Sequence, residues 1–306
     1  VFLRSCVFET NTATGSGGGV YLVGGTAELQ NCTFVGNRAS TTLFTDTSTG
    51  GGLYVGTGAT GTVGNCLFSR NVDVYAFPQY PDVSGTVDSL GYNLVRNGTG
   101  ASGFTATGDQ VGTTSEPLDL LLSGARPDPR SIARDGGSGS LLTADMVLDV
   151  DGDPRIAVRA VDVGAIELQP DGVVTTTNDH GAGSLREVLD DLSRHNSWVT
   201  FDTNVFAVER TIVLTNLLSG LIPRKGFWLD GASAPAPVTI QQRSINPRRI
   251  FGINPISTDQ PVGTIAVEIS DLTLVGGNAS GEGFAQGACL LAHYGSTVTM
   301  RRCLIL

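Results

Sequence analysis

The stretch Gly17–Asn37, GGGVYLVGGTAELQNCTFVGN, decides the fold because it recurs along the chain. A second copy covers Gly50–Asn71 as GGGLYVGTGATGTVGNCLFSRN, and a shortened copy covers Gly287–Leu306 as GACLLAHYGSTVTMRRCLIL. Each copy runs through a glycine-rich turn, a short apolar strand, a polar turn, a second strand and a Cys-x-Phe-like step. A unit of this size cannot bury its apolar side chains alone, so its copies must stack. The sequence therefore predicts a solenoid of β-coils.

The composition fits this prediction and excludes some partners. The chain has 306 residues, of which 41 are glycine, and only 16% are charged. Glycine is thus well above its usual share of about 7%, as expected for many short strands joined by tight turns. The net charge of −10 argues against nucleic acid as a partner. No apolar run approaches the ~20 residues of a membrane-spanning helix, so we expect no transmembrane segment in this sequence.

The cysteines predict buried thiols rather than disulfides. Cys6, Cys32, Cys66 and Cys303 share one place in the repeat, and Phe or Ile follows each of them two residues later. Stacked coils would place such cysteines in a column inside the core, where a free thiol behaves as a small apolar group. The whole chain has five cysteines, an odd number, and no C-x-x-C pair, and both facts argue against zinc and redox chemistry.

The pattern divides the chain into three segments. Residues 1–115 are interpreted as the last coils of a first solenoid, in which Ala39–Thr49 forms a polar loop that lengthens one repeat. Residues 116–170 carry more charge and proline, and we expect them to close the open end of that solenoid. Residues 171–306 are interpreted as the cap and first coils of a second solenoid. Because the sequence begins and stops within a repeat, we read it as a section of a longer protein.

The residues at the turns predict where each coil changes direction. We expect Gly17–Gly19 and Gly50–Gly52 to supply corners with positive φ, which residues with a Cβ resist. Asn11, Asn37 and Asn71 each follow a phenylalanine by three residues. They are predicted to cap turns and to hydrogen-bond between stacked coils.

One amphipathic helix is predicted at the start of the second solenoid. Ser184 would begin it, and Glu187 would complete a capping box. Apolar side chains follow at helical spacing, namely Leu185, Val188, Leu189 and Leu192. This helix is suited to plug the first coil.

The strands are predicted from short apolar runs between turn signals. In the first half they are Val20–Val23, Ala27–Gln30, Leu53–Val55, Thr62–Gly64 and Asp88–Val95. In the second half they are Val173–Thr176, Trp198–Phe201, Thr211–Leu214, Phe227–Leu229, Val238–Gln241, Ile250–Ile253, Val267–Ile269, Leu272–Val275 and Thr297–Met300.

These motifs resemble the repeats of a known family. The pairing of a GGA-like element with Phe-x-x-Asn, as in Gly17–Val20 and Phe34–Asn37, resembles the repeats of the chlamydial polymorphic outer-membrane proteins. Related bacterial β-helix proteins share it. Residues 131–167 are similar to the closing segment of surface-anchored β-helix proteins, and Thr177–Arg186 together with Ile269–Asn278 resembles the start of such exported proteins.

The resemblance implies an all-β fold, a right-handed parallel β-helix (a pectin-lyase-like solenoid), present as parts of two tandem solenoids with one short capping helix. It further implies an extracellular or cell-surface bacterial protein, often an adhesin or a passenger. We therefore interpret the chain as a structural stalk or adhesin-like passenger without enzymatic activity. Its partners would be surface glycans or proteins of a host or cell surface. The alternative is a carbohydrate-active enzyme (a polysaccharide lyase or hydrolase) or a carbohydrate-binding module on the same fold.

The sequence offers little for catalysis. Sugar-cleaving sites need paired carboxylates, or calcium with a nearby basic residue. The repeats show no clustered Asp or Glu, Lys225 is the single lysine, and His180, His195 and His293 share no spacing. We therefore assign no catalytic, cofactor-binding or metal residue and expect no enzyme activity.

Two weaker candidates for binding remain. Asp149, Asp151 and Asp153 alternate around a glycine, a pattern that suits calcium but also an acidic turn whose carboxylates cap backbone amides. Aromatic residues cluster after the third coil, where they either pack over the end of a solenoid or stack on sugars: Tyr75, Phe77, Tyr80 and Tyr92.

Overall fold

The computed structural model describes residues 1–40, 50–74, 82–215, 220–243, 248–253, 265–278, 289–292 and 295–306. The chain is all-β with several parallel sheets. It forms two compact units, Val1–Gln169 and Pro170–Leu306.

The first unit is built from short strands. Within its described residues they are, in chain order, β1 (Phe2–Arg4), β2 (Val7–Glu9), β3 (Thr12–Ala13), β4 (Val20–Gln30), β5 (Thr33–Val35), β6 (Arg38–Ser40), β7 (Leu53–Gly64), β8 (Leu67–Ser69), β9 (Val72–Val74), β10 (Val83–Gly91), β11 (Leu94–Val95), β12 (Ala101–Ser102), β13 (Gln110–Val111), β14 (Leu122–Ser123) and β15 (Arg126–Pro127).

Three parallel sheets take one strand from each successive repeat. The first sheet has the order β1-β4-β7-β10-β12, the second β2-β5-β8-β11-β13 and the third β3-β6-β9. All pairs within them are parallel. The chain thus visits the sheets in turn, and each round lies beside the previous one.

Single residues in the left-handed region turn the chain from the first sheet to the second. Ser5, Asn31, Asn65 and Tyr92 have φ values of 48°, 49°, 52° and 57°. Each stands directly before the Cys-like position of its repeat. This conformation is uncommon outside glycine and costs on the order of 1 kcal/mol per residue, so the neighbouring coils must hold it in place.

The glycine triplets have two different roles. Gly17 and Gly50 have φ of 67° and 68°, as predicted. The expectation is wrong for the other glycines of the triplets, which do not adopt positive φ: Gly18, Gly19, Gly51 and Gly52. A Cβ on Gly18 would lie 2.4 Å from the carbonyl oxygen of Gly51, so these glycines let neighbouring coils approach closely.

The strands of the first sheet are longer than predicted. The two runs expected on either side of Gly24–Thr26 form one strand, β4, and the two runs expected in the next repeat likewise form one strand, β7. A register shift between Leu22 and Gly24 lets pairing with the next coil continue through the glycines. In contrast, the strand expected at Asp88–Val95 is divided at Tyr92, because β10 and β11 belong to different sheets.

Residues 116–168 lie along the second sheet rather than only over its end. The outward side chains of Val35, Leu67 and Leu94 on this sheet are apolar and need cover. They pack in one cluster with side chains of the later segment, namely Leu118, Leu120, Leu122, Ala133 and Val163. The segment is mostly irregular, with an antiparallel pair β14–β15 and a short 3-10 turn at Gly139–Leu141.

The second unit repeats the parallel arrangement. Its described strands are β16 (Gly172–Val174), β17 (Ser197–Phe201), β18 (Arg210–Leu214), β19 (Phe227–Asp230), β20 (Val238–Gln242), β21 (Phe251–Ile253), β22 (Ile265–Ser270), β23 (Leu272–Val275), β24 (Leu290–Ala292), β25 (Ser296–Arg301) and β26 (Leu304–Ile305). They form three sheets with the orders β16-β17-β19-β22-β25, β18-β20-β23-β26 and β21-β24. The strands predicted for this half are confirmed, with ends that shift by a residue or two.

The predicted helix is present as α1 (Leu185–Asp190). The Ser184 side chain accepts from the Glu187 amide, and Leu185 and Leu189 are buried in the core of this unit. Only half of the capping box forms, because the Ser184 N–H donates to the carbonyl of Gly181 instead of to Glu187. Leu192 lies beyond the end of the helix but is still buried.

Candidate functional site

The asparagines of the repeat form a ladder inside the first unit. Asn11 donates its side-chain amide to Oδ1 of Asn37 at 2.9 Å, and Asn37 donates to Oδ1 of Asn71 at 2.8 Å. The backbone N–H groups of Asn11 and Asn37 reach the same acceptors. The predicted hydrogen bonds between asparagines of successive repeats are confirmed. Because these amides are used within the stack, they have a structural role rather than a binding one.

Phenylalanines stack beside this ladder. The rings of Phe8 and Phe34 lie 4.5 Å apart at 9°, and those of Phe34 and Phe68 lie 4.9 Å apart at 14°. Phe104 meets Phe68 edge-on at 6.4 Å. The stack is an interior feature, since Phe34 and Phe68 are fully buried.

The cysteines of the repeat in the first unit form a column of free thiols. Cys32 and Cys66 are fully buried, and their sulfurs lie 3.3 and 3.4 Å from the carbonyl oxygens of Leu3 and Leu29. The contact with Cys32, together with burial, raises the pKa of the Cys6 thiol far above its usual range. All five cysteines are free, and Cys303 belongs to the second unit. A thiol that stays protonated is a poor nucleophile, so this geometry suits packing rather than catalysis.

The proposed calcium ligands form an acidic turn. Asp149 Oδ1 accepts from the backbone amides of Asp151 and Asp153 at 2.8 and 2.9 Å, and Oδ2 accepts from the amide of Glu167 at 2.8 Å. The Asp151 carboxylate pairs with Arg126. Within the described ranges, no group of three or more His, Cys, Asp and Glu side chains is placed to hold a metal ion. The geometry therefore matches the capping interpretation of this motif.

Further buried carboxylates hold the irregular segment together, and no repeat pattern marks them. Asp162 accepts from the amides of Asp135 and Leu168 at 2.6 and 2.8 Å. Glu167 accepts from the amides of Ala157 and Asp162 at 3.1 and 2.8 Å. Burial raises the pKa of Asp162 to about 7 and that of Glu167 to about 8.

A buried arginine accompanies these acids. Arg155 is 2% exposed and donates to Ser5 Oγ at 2.9 Å, which ties the segment to the first coil. Asp162, Glu167 and Arg155 lie away from the surface, so they stabilise the segment and do not form an open site.

The groups that an enzyme would need are dispersed. Glu28 and Asp88 share the outer face of the first sheet, but Thr62 lies between them in register, which separates them by two strand spacings, about 10 Å. Glu28 also pairs with Arg4 at 3.5 Å.

The described histidines serve local contacts. His180 lies 3.2 Å from Asp179, and His195 Nδ1 accepts from the amide of Gly226 at 3.0 Å. His293 lies outside the described residues.

A pair of tyrosines forms the candidate binding site. Register places Tyr21 of β4 beside Tyr54 of β7, and their rings stack at 5.1 Å and 27°. Tyr21 is 53% exposed and Tyr54 is half-buried, so the pair stands on the outer face of the first sheet. Ser84 of β10 occupies the next place in the same row. Aromatic side chains with a polar tip in such a position are suited to binding.

This pair was missed from sequence although a signal existed. Each tyrosine follows its glycine triplet by two positions, in GGGVY and GGGLY. Of the aromatic residues considered instead, Tyr92 forms a corner of the coil with φ of 57°. Tyr75, Phe77 and Tyr80 lie outside the described residues, as does most of the predicted loop Ala39–Thr49.

One family comparison finds a match. Residues 5–22 match the Chlamydia polymorphic membrane protein (Chlamydia_PMP) repeat. This range includes Cys6, Phe8, Asn11, Gly17–Gly19 and Tyr21. Among curated proteins and solved structures, none matches the chain significantly.

The match supports a surface location. Repeats of this kind belong to outer-membrane and surface proteins. In the described part of the chain, no helix has the length and apolar character needed to cross a membrane.

Proposed function

We propose that the chain is a section of a right-handed parallel β-helix protein of the bacterial surface, where it acts as a structural stalk or adhesin-like passenger without enzymatic activity. Parallel strands joined by crossovers are almost always right-handed, which supports the handedness. The three parallel sheets of the first unit, each fed by successive repeats, support the solenoid.

The observation that carries this proposal is that polar and aromatic residues of the repeat motif make contacts between successive repeats. Two residues that define the motif, Asn37 and Phe34, are fully buried. The Asn37 amide donates to its equivalent Asn71, and the Phe34 ring stacks on its equivalent Phe68. A motif whose side chains make contacts between stacked repeats extends the protein rather than forming a pocket. Together with the repeat match at residues 5–22, this favours an extended surface element.

The domain organisation follows the same proposal. Residues 1–115 would supply the last coils of one solenoid, 116–170 its closing segment and 171–306 the start of a second. The apolar cover that the middle segment gives to Val35, Leu67 and Leu94 supports its role as a closing element.

Surface labelling tests the location. An antibody raised against the purified chain is applied to intact cells that produce the protein, before and after treatment with external protease. We expect labelling of intact cells and loss of the signal after protease. A signal that appears only after lysis, and that survives external protease, would contradict the proposal.

Enzyme activity is tested separately. The purified chain is incubated with polysaccharides of several linkage types, and new reducing ends and unsaturated products are measured. We expect none above a heat-denatured control. Turnover that disappears in a Glu28→Gln or Asp88→Asn variant would favour the enzyme instead.

A further inference from the structure

The tyrosine row on the outer face of the first sheet stops after two rungs. Tyr21 and Tyr54 occupy equivalent places on β4 and β7, and Ser84 occupies that place on β10. Neighbouring strands lie about 4.8 Å apart, which is close to the separation of two stacked rings. Among the described residues, the small side chain of Ser84 therefore leaves the second face of Tyr54 with room for one more flat ring.

Part of the surface next to this row is bare without a packing reason. A Cβ added to Gly24 would meet no atom closer than 3.6 Å, and one added to Gly58 none closer than 3.4 Å. These glycines differ from Gly18, where a Cβ would collide with the next coil. Close approach of coils thus does not require glycine at these two exposed positions, and they leave a flat shelf beside the rings.

The charge of the surroundings selects among ligands. The outward side chains nearest to the pair along the strands are uncharged, including Val23, Thr26 and Thr60. The closest acid along β4, Glu28, is paired with Arg4. With a net charge of −10 on the chain and no cation among the described outward side chains of these strand segments, an anionic ligand would be repelled rather than held.

We propose that the face of Tyr54 above Ser84 binds a neutral saccharide, whose sugar ring stacks as the third rung of the Tyr21–Tyr54 row. The apolar face of a pyranose ring packs on the tyrosine, and its hydroxyl groups meet the hydroxyl side chains along the shelf. The proposal depends on the surface role proposed above only for access to the ligand, because binding itself is a property of the purified chain.

The experiment uses the purified chain on an immobilised array of oligosaccharides. The array carries neutral hexose and N-acetylhexosamine oligomers beside sialylated and sulfated ones, and the neutral hits are measured by isothermal titration calorimetry. We expect binding to neutral oligomers, with no preference for the anionic ones. Tyr54→Ala should weaken the binding roughly tenfold, while Tyr54→Phe, which keeps the ring, should remain within about threefold of the original affinity.

A filled third rung gives the sharpest control. Ser84→Tyr places a ring of the protein itself where the sugar would stack, so it should abolish binding while the thermal midpoint is unchanged or higher. Val23→Thr, on the same face but outside the row, should bind as the original chain does.

Three results would overturn the proposal. They are the absence of binding to any neutral oligosaccharide, binding that survives both Tyr54→Ala and Ser84→Tyr, and a Tyr54-dependent dimer in sedimentation, which would assign this face to a second copy of the chain. None of them would affect the labelling of intact cells, so failure of the sugar site is distinguishable from failure of the surface role.

Discussion

Asn71 donates its side-chain amide to Oδ1 of Asp82 at 2.8 Å, and its backbone N–H reaches the same oxygen at 2.8 Å. The other oxygen, Oδ2, accepts from the backbone N–H of Asn97 at 2.8 Å. The asparagine ladder is therefore closed by a buried carboxylate that follows Asn71 by 11 residues. Asp82 joins two successive rounds of the chain through three hydrogen bonds.

Replacing this carboxylate by an amide should weaken the first unit. In Asp82→Asn, one oxygen still accepts from Asn71, but the new NH2 group faces the N–H of Asn97. Leaving a buried donor unsatisfied costs about 1–3 kcal/mol, which urea unfolding at neutral pH would measure. Asn11→Ala, at an exposed rung of the same ladder, should cost less than about 1 kcal/mol. Equal losses in both variants would argue against a special role for Asp82.

The phenylalanine stack should be the most sensitive part of the core. Phe34 is fully buried between Phe8 and Phe68, so Phe34→Ala removes both ring contacts and leaves a cavity. We expect a loss of about 3–5 kcal/mol in the free energy of unfolding. The matched control is Val23→Thr on β4, where the side chain is 71% exposed and the change should stay within about 0.5 kcal/mol. A small loss at Phe34 would mean that the coils are not closely stacked.

The two kinds of glycine should respond differently to alanine. Gly18→Ala places a methyl group 2.4 Å from the carbonyl oxygen of Gly51, so the coils must separate at a cost of about 3 kcal/mol or more. Gly15→Ala meets no atom within 4 Å and should be neutral or slightly stabilising. Thermal melts of the two variants test this contrast, and a tolerant Gly18 would contradict the close approach of the coils.

Stability should fall as the pH rises through neutrality. Burial raises the pKa of Asp162 to about 7 from 3.8 and that of Glu167 to about 8 from 4.5. The folded state therefore binds protons more tightly than the unfolded state. The contribution of these two carboxyl groups to stability is complete below about pH 4 and is lost as the pH rises through about 8. Thermal midpoints between about pH 5 and pH 9 should decline.

A charge-removing variant isolates this effect. Glu167→Gln should be less stable at pH 5, because one backbone amide loses its acceptor, but its midpoint should depend less on pH. Glu116→Gln changes an exposed acid of the same segment and should keep the original pH dependence. A midpoint that rises between about pH 5 and pH 9 in the original chain would contradict the prediction.

Thiol reactivity should follow burial. Cys32 and Cys66 are fully buried, and contact with Cys32 together with burial raises the pKa of Cys6. We expect Cys32 and Cys66 to react with Ellman's reagent only when the protein is unfolded, whereas Cys303, which is partly exposed, reacts first. Mass spectrometry after brief alkylation identifies the labelled residue. Rapid labelling of Cys66 in the folded chain would contradict the buried column.

Much of the architecture was predictable because the repeat places like residues together. The common place of Cys32 and Cys66, and the Phe-x-x-Asn step at Asn37, were enough to predict stacking and the ladder. Contacts outside the period were not. Asp82 lies outside the motif, and the carboxylates of Asp162 and Glu167 bind amides of an irregular segment whose path no periodicity describes.

The tyrosine pair shows a different limit. Tyr21 and Tyr54 share a repeat position, but their exposure depends on which way β4 and β7 face. The interruption expected near Gly24 left this facing undetermined, since a change of one residue in register moves every side chain to the other face. Only the bulge that keeps β4 continuous places both rings outside.

The asparagine ladder also has a direction. Each side-chain amide donates a hydrogen bond to the side-chain oxygen of the next rung. The direction of donation is therefore the same from Asn11 to Asn37, from Asn37 to Asn71 and from Asn71 to Asp82. An ionised carboxylate has no hydrogen to donate, so Asp82 only accepts hydrogen bonds, from Asn71 and from Asn97, and the ladder ends there. Asp109 does the same for Asn93, whose amide it accepts at 2.9 Å. In such an array an asparagine extends the ladder and an aspartate ends it, because the exchange of one NH2 group for one oxygen removes the donor for the next rung.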